Sequence, residues 1–503
     1  GFNQQGNASV AIGYLAGCGD QGTKAVAVGT AAGQTAQGTN TVAVGNSAGE
    51  TGQNNFSVAI GTNAGCRAQD GAVAVGSSAG RDGQGDDAIA IGPSAGHTSQ
   101  GVSSIAIGHD AGSAGQNTFS VAIGINTALN AQGTNAVAIG RGAGQNVQGN
   151  QAVAMGYHAG LNAQGNNSTA VGRDAGCVSQ GENTTTVGYR AGQTSQGAQA
   201  VAVGYAAGRV SQGDYAIAMG YIAGSASQGA EAVAIGHAAG RNAQGEYCTA
   251  VGFNAGSADQ GASGIAIGSN AGEDSQGNYA TAVGQAAGYN AQGGDSVAVG
   301  RSAGRVSQGA YSTAVGYNAG CADQAAYSVA IGAEAGQVTQ GTHNVAVGYQ
   351  AGSSNQNSYS VAIGSSAGFN AQAATCVAIG RLAGCGAQAS YAIAVGHQAG
   401  QNQQGVNGIA LGRLAGATRQ GVNSTAIGVN AGSIDQGDYN IAIGDAAGQS
   451  GQNNYALAMG YLAGRNAQGG AAISIGNQAG ENSQNLNAIA IGTLSGENAQ
   501  VDY

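Results

Sequence analysis

The chain has 503 residues, of which 96 are glycine, one is proline (Pro93), none is tryptophan and only 8% are charged, a composition that excludes an ordinary set of globular domains. One proline and no Gly-X-Y triplet exclude collagen, and 42% apolar residues in strict register exclude a disordered low-complexity tract. A formal charge of −10 with Lys24 as sole lysine argues against a nucleic-acid or anionic-lipid partner, and no apolar run reaches the roughly 20 residues of a spanning helix, so no membrane insertion of this segment is expected.

From the N-terminal end, glutamines stand at 5, 21, 37, 53 and 69, then at 84 and 100, and so on to 500. The spacing is sixteen throughout, except between Gln69 and Gln84, where the linker Asp70-Gly71 is one residue short. A fixed short period is the signature of a solenoid. Residues 1–503 therefore read as one continuous all-β repeat domain, a parallel β-solenoid (β-roll) of about thirty 16-residue coils.

One unit runs Ser57-Val58-Ala59-Ile60-Gly61, two variable residues, Ala64-Gly65, three variable residues and Gln69, and it recurs from Ala136 to Gln148. Numbering slots from that first small residue, slot two is Val, Ile or Thr except at Leu457. Slot four is Ile, Val or Met except at Leu411, and slot five is always Gly. β-branched residues alternating with small ones predict a strand, with slots two and four on one face and slots one and three on the other. Slot three is Ala except at Thr186 and Ser474, slot one is small apart from Asn344 and Asn440, and neither carries a charge.

A solvated strand face would accumulate Lys, Glu, Asp and Arg over so many copies, so both faces are expected to be covered, one inside the coil and one by another copy of the chain. Alternation alone leaves open which is which. The assignment adopted places Val/Ile inside and the small face, as at Ala27, Ala59 and Ala138, between chains. The pair after slot five, such as Arg141-Gly142, Tyr157-His158, Arg173-Asp174 and Tyr189-Arg190, varies freely and belongs outside.

The recurring glutamine has two readings, an amide ladder running through Gln21, Gln37, Gln53, Gln84 and Gln100 or a turn cap bonded to its own backbone. Fixed glycines mark two corners per coil, giving two short strands and two turns. Cys18 and Cys66 stand about 14 Å apart at 4.8 Å per coil, too far for a disulfide, and the seven cysteines are read as free thiols.

The run Ser-Val-Ala-Ile-Gly, two residues and Ala, at 57–61, 120–124 and 360–364, resembles the head repeats of trimeric autotransporter adhesins of the YadA type, and similar repeats occur in viral fibre proteins. The resemblance implies a left-handed β-roll with three chains around one axis, an extracellular, cell-surface or virion-surface location and a role in adhesion. The period of sixteen and the glutamine comb depart from the family pattern. Gly1 opens mid-repeat and Tyr503 follows closely on Gln500, which suggests a segment of a longer fibre or a unit that polymerises end to end.

No non-repeated constellation of catalytic groups is visible, so no enzyme, cofactor or metal site is expected; the six histidines fall in variable slots and Asp is sporadic. Ice binding would need threonine rows, and Thr184 and Thr186 make only one Thr-x-Thr pair. Tyr189, Tyr205 and Tyr221 form one aromatic row, and Tyr279, Tyr311, Tyr327, Tyr359 and Tyr391 another. Such rows can cradle sugar rings as part of a glycan or protein receptor contact, although the favoured reading is a surface ladder that stiffens the strands. The functional expectation is a structural extracellular fibre, a homo-oligomer and most simply a trimer, with an adhesive role; host recognition by a virion fibre is the alternative, and an ice-binding solenoid ranks below both.

Overall fold

Sixteen residues with two fixed turns can form only a small loop of chain, and the next loop stacks on it through backbone hydrogen bonds. A computed structural model of the protein describes residues 4–67 and 70–500, so Gln69 of the comb lies outside the described residues. The chain divides into two compact units, Gly1–Cys248 and Thr249–Tyr503. Each is a parallel β-solenoid of the same coil, and every regular element among the described residues is a strand of three residues.

The first strand of a coil covers slots two to four and pairs in register with its copies, as in Val137↔Val153, Ala138↔Ala154 and Ile139↔Met155. The second covers slots eleven to thirteen, where only the outer two positions pair, as in Asn146↔Asn162 and Gln148↔Gln164. Slot twelve between them is in the left-handed region, for example Val147 at φ 56° and Ala163 at φ 54°. That residue breaks the pleat: slots eleven and twelve both face outward and slot thirteen turns in. The second strand is lost at Cys18–Gln21 and Cys385–Gln388, where Gly19 and Gly386 replace the usual slot-eleven side chain, although Gln372, Gln388 and Gln404 still form bridges.

Both corners are turns closed by a bond across three residues, Ala79 N–H to Gly76 O at 3.4 Å and Ala88 N–H to Gly85 O at 3.3 Å. Their third positions, slots seven and sixteen, take positive φ in type II fashion, yet they hold residues such as Ser78 at 58° and Asp87 at 55° rather than glycine. Stacking holds these conformations. The slot-seven N–H of Asn63 donates to Asn46 O at 2.9 Å, and the slot-sixteen N–H of Asn40 donates to Thr23 O at 3.0 Å, each one coil back.

The short interval near Asp70 is absorbed without loss of register. Val58↔Val73, Ala59↔Ala74 and Ile60↔Val75 pair slot for slot. Asp70 and Gly71 bond as slots fifteen and sixteen do elsewhere, Asn55 N–H reaching Asp70 Oδ1 at 3.0 Å and Gly71 N–H reaching Asn55 O at 2.9 Å. The position omitted is slot fourteen, directly after the glutamine.

The coil interior reverses the assignment of faces drawn from alternation. Ala27, Ala59 and Ala138 are fully buried within a single chain, so they line the inside of the coil and are not an interchain face. Slots one, three, eight, nine and thirteen fill the interior: three small side chains, a glycine and a glutamine. Val and Ile of slots two and four point outward and stay partly exposed, as Met155, Ile331 and Ile441 show at about 40%. The reason is width. The interior accepts an occasional threonine, as at Thr41, Thr127 and Thr186, but leaves little room beside it: a Cβ at Gly192 would overlap Cγ2 of Thr186, and beside alanine at the same slot the distance is still only 3.1 Å for Gly240 and Ala234.

Slot-five glycine is forced by the coil stacked on it. Gly300 sits at φ 123°, and a Cβ there would lie 2.6 Å from Gly316 O. Gly115, in the slot-twelve position that alanine holds elsewhere, has no atom nearer than 3.7 Å to its ideal Cβ. Gly300→Ala is therefore expected to cost at least about 3 kcal/mol and to open the neighbouring coils, whereas Gly115→Ala changes stability by less than about 1 kcal/mol; hydrogen exchange mapped along the chain distinguishes the two.

Candidate functional site

Three rows run along each stack and carry its chemistry: the buried glutamines, the outward Val/Ile stripe and the variable side chains of slots six to ten. The glutamine side chain crosses the coil. Gln148 Nε2 donates to Val137 O at 2.9 Å, on the opposite strand of its own coil, and lies 3.3 Å from Ala152 O of the next. A buried amide is stabilised only when such partners are supplied, and here the backbone supplies them in nearly every coil.

The same amides also link to each other. Gln21 donates to Gln37 at 3.1 Å and Gln37 to Gln53 at 3.3 Å, and from Gln308 to Gln420 the links are continuous at 3.0–3.3 Å. At Gln84 and Gln100 the Nε2 bonds go to backbone alone, to Val73 O and Ala88 O, and to Ile89 O and Ser104 O. Ladder and turn cap, the two readings of the comb, thus coexist in one side chain. Where Oε1 has no N–H partner, as at Gln84 and Gln100, it packs along the Cα–H direction of slot-nine glycine, whose ideal Cβ would fall 2.5 Å from Gln100 Oε1.

Two interior exceptions replace an amide link with a hydroxyl. Thr186 Oγ1 accepts from Gln180 Nε2 at 3.2 Å and donates to Thr169 O at 3.1 Å. Ser474 Oγ accepts from Gln468 Nε2 at 3.3 Å and donates to Gln484 Oε1 at 2.5 Å. Asn344 and Asn440, the bulky slot-one residues, are likewise fully buried: each Nδ2 donates to the glutamine carbonyl of its own coil, and each Oδ1 accepts the slot-one N–H of the next.

Sequence reasoning missed a further device at slot fifteen. An Asn or Asp oxygen there accepts the backbone N–H of the same slot one coil earlier: Thr134 to Asn150 at 2.9 Å, Ala198 to Asp214 at 2.8 Å, Val422 to Asp438 at 2.7 Å. Its signal was present as recurrent Asn/Asp two residues past the glutamine.

On the outer surface, Tyr189, Tyr205 and Tyr221 stack face to face with centroids 5.1 and 5.0 Å apart, and His237 continues the stack at 4.9 Å. In slot sixteen, Tyr311, Tyr327, His343 and Tyr359 form a second stack at 4.9–5.1 Å, while Asp295 and Thr375 separate Tyr279 and Tyr391 from it. Rings stacked at the coil spacing spend their faces on each other. Their edges and hydroxyls face solvent, so a sugar ring finds no open aromatic face inside either row.

The slot-six row extends towards lower numbers by alternating cation and ring. Arg141 and Arg173 lie over Tyr157 at 5.7 and 5.5 Å, and Arg173 and Arg190 lie over Tyr189 at 5.7 and 5.0 Å. Beside them sits Asp174, about nine-tenths buried, with Arg173 Nε at 3.5 Å, Arg190 Nε at 3.8 Å and His158 Nδ1 at 3.7 Å. Among the described residues no group of three or more His, Cys, Asp or Glu could hold a metal ion.

All seven cysteines are thiols. Burial raises the thiol pKa of Cys66, Cys177, Cys321, Cys376 and Cys385, with the Asp174 charge adding to the effect at Cys177. Cys376 Sγ is also placed to donate to Ala389 O at 2.9 Å.

Residues 131–159, 148–175 and 404–431 match the YadA head domain repeat (2 copies), so these segments are similar to YadA-type head repeats. No curated protein sequence matches the chain.

Gln372 is fully buried, donates to Val361 O and Gln388 Oε1, and accepts from Gln356. Gln372→Ala should cost about 2–4 kcal/mol in urea unfolding, from the lost bonds and the cavity together. The thiols give a pH test. Because the fold raises their pKa, the folded chain keeps those protons as pH rises, so they add no instability below the ordinary thiol range and destabilise above it. Iodoacetamide should label Cys376 at neutral pH at least tenfold more slowly than in the urea-unfolded chain, by about the factor that burial of a thiol imposes.

Proposed function

We propose that this chain is a non-enzymatic structural fibre of the cell surface whose stacked coils assemble side by side as a homo-oligomer and present an adhesive outer face. The observation that carries this reading is the Val/Ile stripe. In each unit it is uncharged, faces out of the coil and repeats at every turn, which makes a continuous apolar surface far longer than soluble monomers leave bare. This reading exchanges the faces assigned from the sequence: alanine lines the coil, and the branched side chains form the proposed interface.

Three chains around one axis is the arrangement that the YadA-type repeats support, since adhesins of that type are trimers, and the extracellular location follows from the same likeness. The comb keeps its spacing of sixteen from Gln244 to Gln260, across the division at Cys248, which supports reading 1–503 as one repeat domain. Rigidity comes from backbone ladders at both strands and both turns of each coil, and repetition offers a surface many weak contacts at once. Analytical ultracentrifugation of the whole chain tests the proposal. The expected species is a discrete oligomer, reduced to a folded monomer by Val345→Glu, Val347→Glu and Val361→Glu together, with the circular dichroism of the β-roll retained. A wild-type chain that sediments as a stable monomer at micromolar concentration refutes it.

A further inference from the structure

The chain is acidic overall, yet its arginines are not evenly spread. Five of its fourteen basic residues, Arg141, Arg173, Arg190, Arg209 and Arg241, fall between 141 and 241, all in slots six to ten. Across those slots of the same coils Asp174 is the one carboxylate; Glu182, Asp214 and Glu231 sit in slots fifteen and sixteen, at the other turn. Stacking therefore gathers the cations into a strip along the axis, about 29 Å long at 4.8 Å per coil.

The strip is pre-organised. Cation–π contacts with Tyr157 and Tyr189 hold Arg141, Arg173 and Arg190 in place. Slot ten of one coil lies against slot seven of the coil before it, as Asn254 and Glu273 do at 3.5 Å, and this offset sets Arg209 beside Arg190. Nε of both arginines is buried without a hydrogen-bond partner. Arg173 and Arg190 thus share the Asp174 carboxylate, Arg209 follows in the next coil, and guanidinium forks match sulfate or carboxylate oxygens.

We propose that this strip binds a linear sulfated polysaccharide laid along the fibre axis, the guanidiniums taking the sulfates and the exposed edges of Tyr205 and Tyr221 taking sugar hydroxyls. The ring geometry favours sugar over single-stranded nucleic acid, which stacks its bases on open aromatic faces. Here Tyr205 has a tyrosine on each side and Tyr221 lies between Tyr205 and His237, so no such face is offered. The inference rests on the surface-fibre reading only for where the polymer would be met.

The test measures binding of the full chain to immobilised heparin, desulfated heparin and single-stranded DNA at several salt concentrations, with sedimentation and circular dichroism run on the same samples. Wild type should bind heparin, with affinity falling steeply with salt, and bind desulfated heparin and DNA at least tenfold more weakly. Arg173→Ala, Arg190→Ala and Arg209→Ala together should weaken heparin binding at least tenfold, and Arg301→Ala, Arg305→Ala and Arg413→Ala together should leave it unchanged. Asp174→Asn, which removes the competing carboxylate, should tighten it severalfold. Equal binding by both triple variants, DNA binding as tight as heparin binding, or no heparin binding by the wild type overturns the assignment. A changed oligomeric state in the 173/190/209 variant would also overturn it, by marking the strip as an interface between copies, whereas a monomeric wild type that still binds heparin would leave it standing and remove only the assembly proposal.

Discussion

The slot-thirteen glutamine reaches across the coil to the slot-two carbonyl, and the length of that side chain fixes how far apart the two strands of a coil can stand. With the strands held so close, little else fits between them. Alanine at slots three and eight, a small residue at slot one and glycine at slot nine are what remains after one amide has been placed. The interior is thus polar at its centre and apolar only in a lining of methyl groups. Burying an amide in coil after coil is tolerable because Nε2 has a backbone acceptor at a fixed place in nearly all of them, and the amide of the next coil often adds another.

From that narrow interior follows the character of the outside. Branched aliphatic side chains suit the pleated backbone of the strand, and because the interior is already filled by an amide and small side chains, with a branched residue only at scattered threonines such as Thr41, Thr127 and Thr186, they stand on the surface of the coil. An isolated coil stack therefore carries its largest apolar groups on the wrong side for a soluble monomer. The small core and the apolar exterior are two consequences of one geometry, and together they give each stack a reason to associate that no single interface residue would provide.

Period, strand composition and turn count were legible in the sequence because each depends on local chemistry repeated many times. Val137-Ala138-Ile139 is a strand wherever it lies, and invariant Gly140 marks the corner. What the sequence left ambiguous was the direction of the faces, since alternation is the same whether Val137 points in or out. The deciding quantity was interior volume, and Gln148 held the clue: a long side chain turned inward by a left-handed residue at Val147 occupies the space that valine would need. Non-glycine residues at positive φ were illegible for a related reason. Ser78 and Asp87 are ordinary by type, and only a carbonyl of the neighbouring coil, Thr62 O for Ser78 and Asp70 O for Asp87, holds them there.

That same sixteen-residue adjacency governs how surface properties must be read. In a globular chain the overall charge is a fair first guide to what the surface attracts, because sequence neighbours scatter over it. In a stack, residues one period apart become touching neighbours, so a property diluted along the sequence can be concentrated along a row. Arg173, Arg190 and Arg209 occupy three consecutive coils, although the segment around them contains few other charges. A single lysine and a net charge of −10 argue against a basic surface only if charge is averaged over the chain, and the solenoid does not average it. Each outward slot is a separate line of side chains whose composition can change without disturbing the glutamines and alanines inside, and for that reason binding chemistry belongs to rows rather than to pockets.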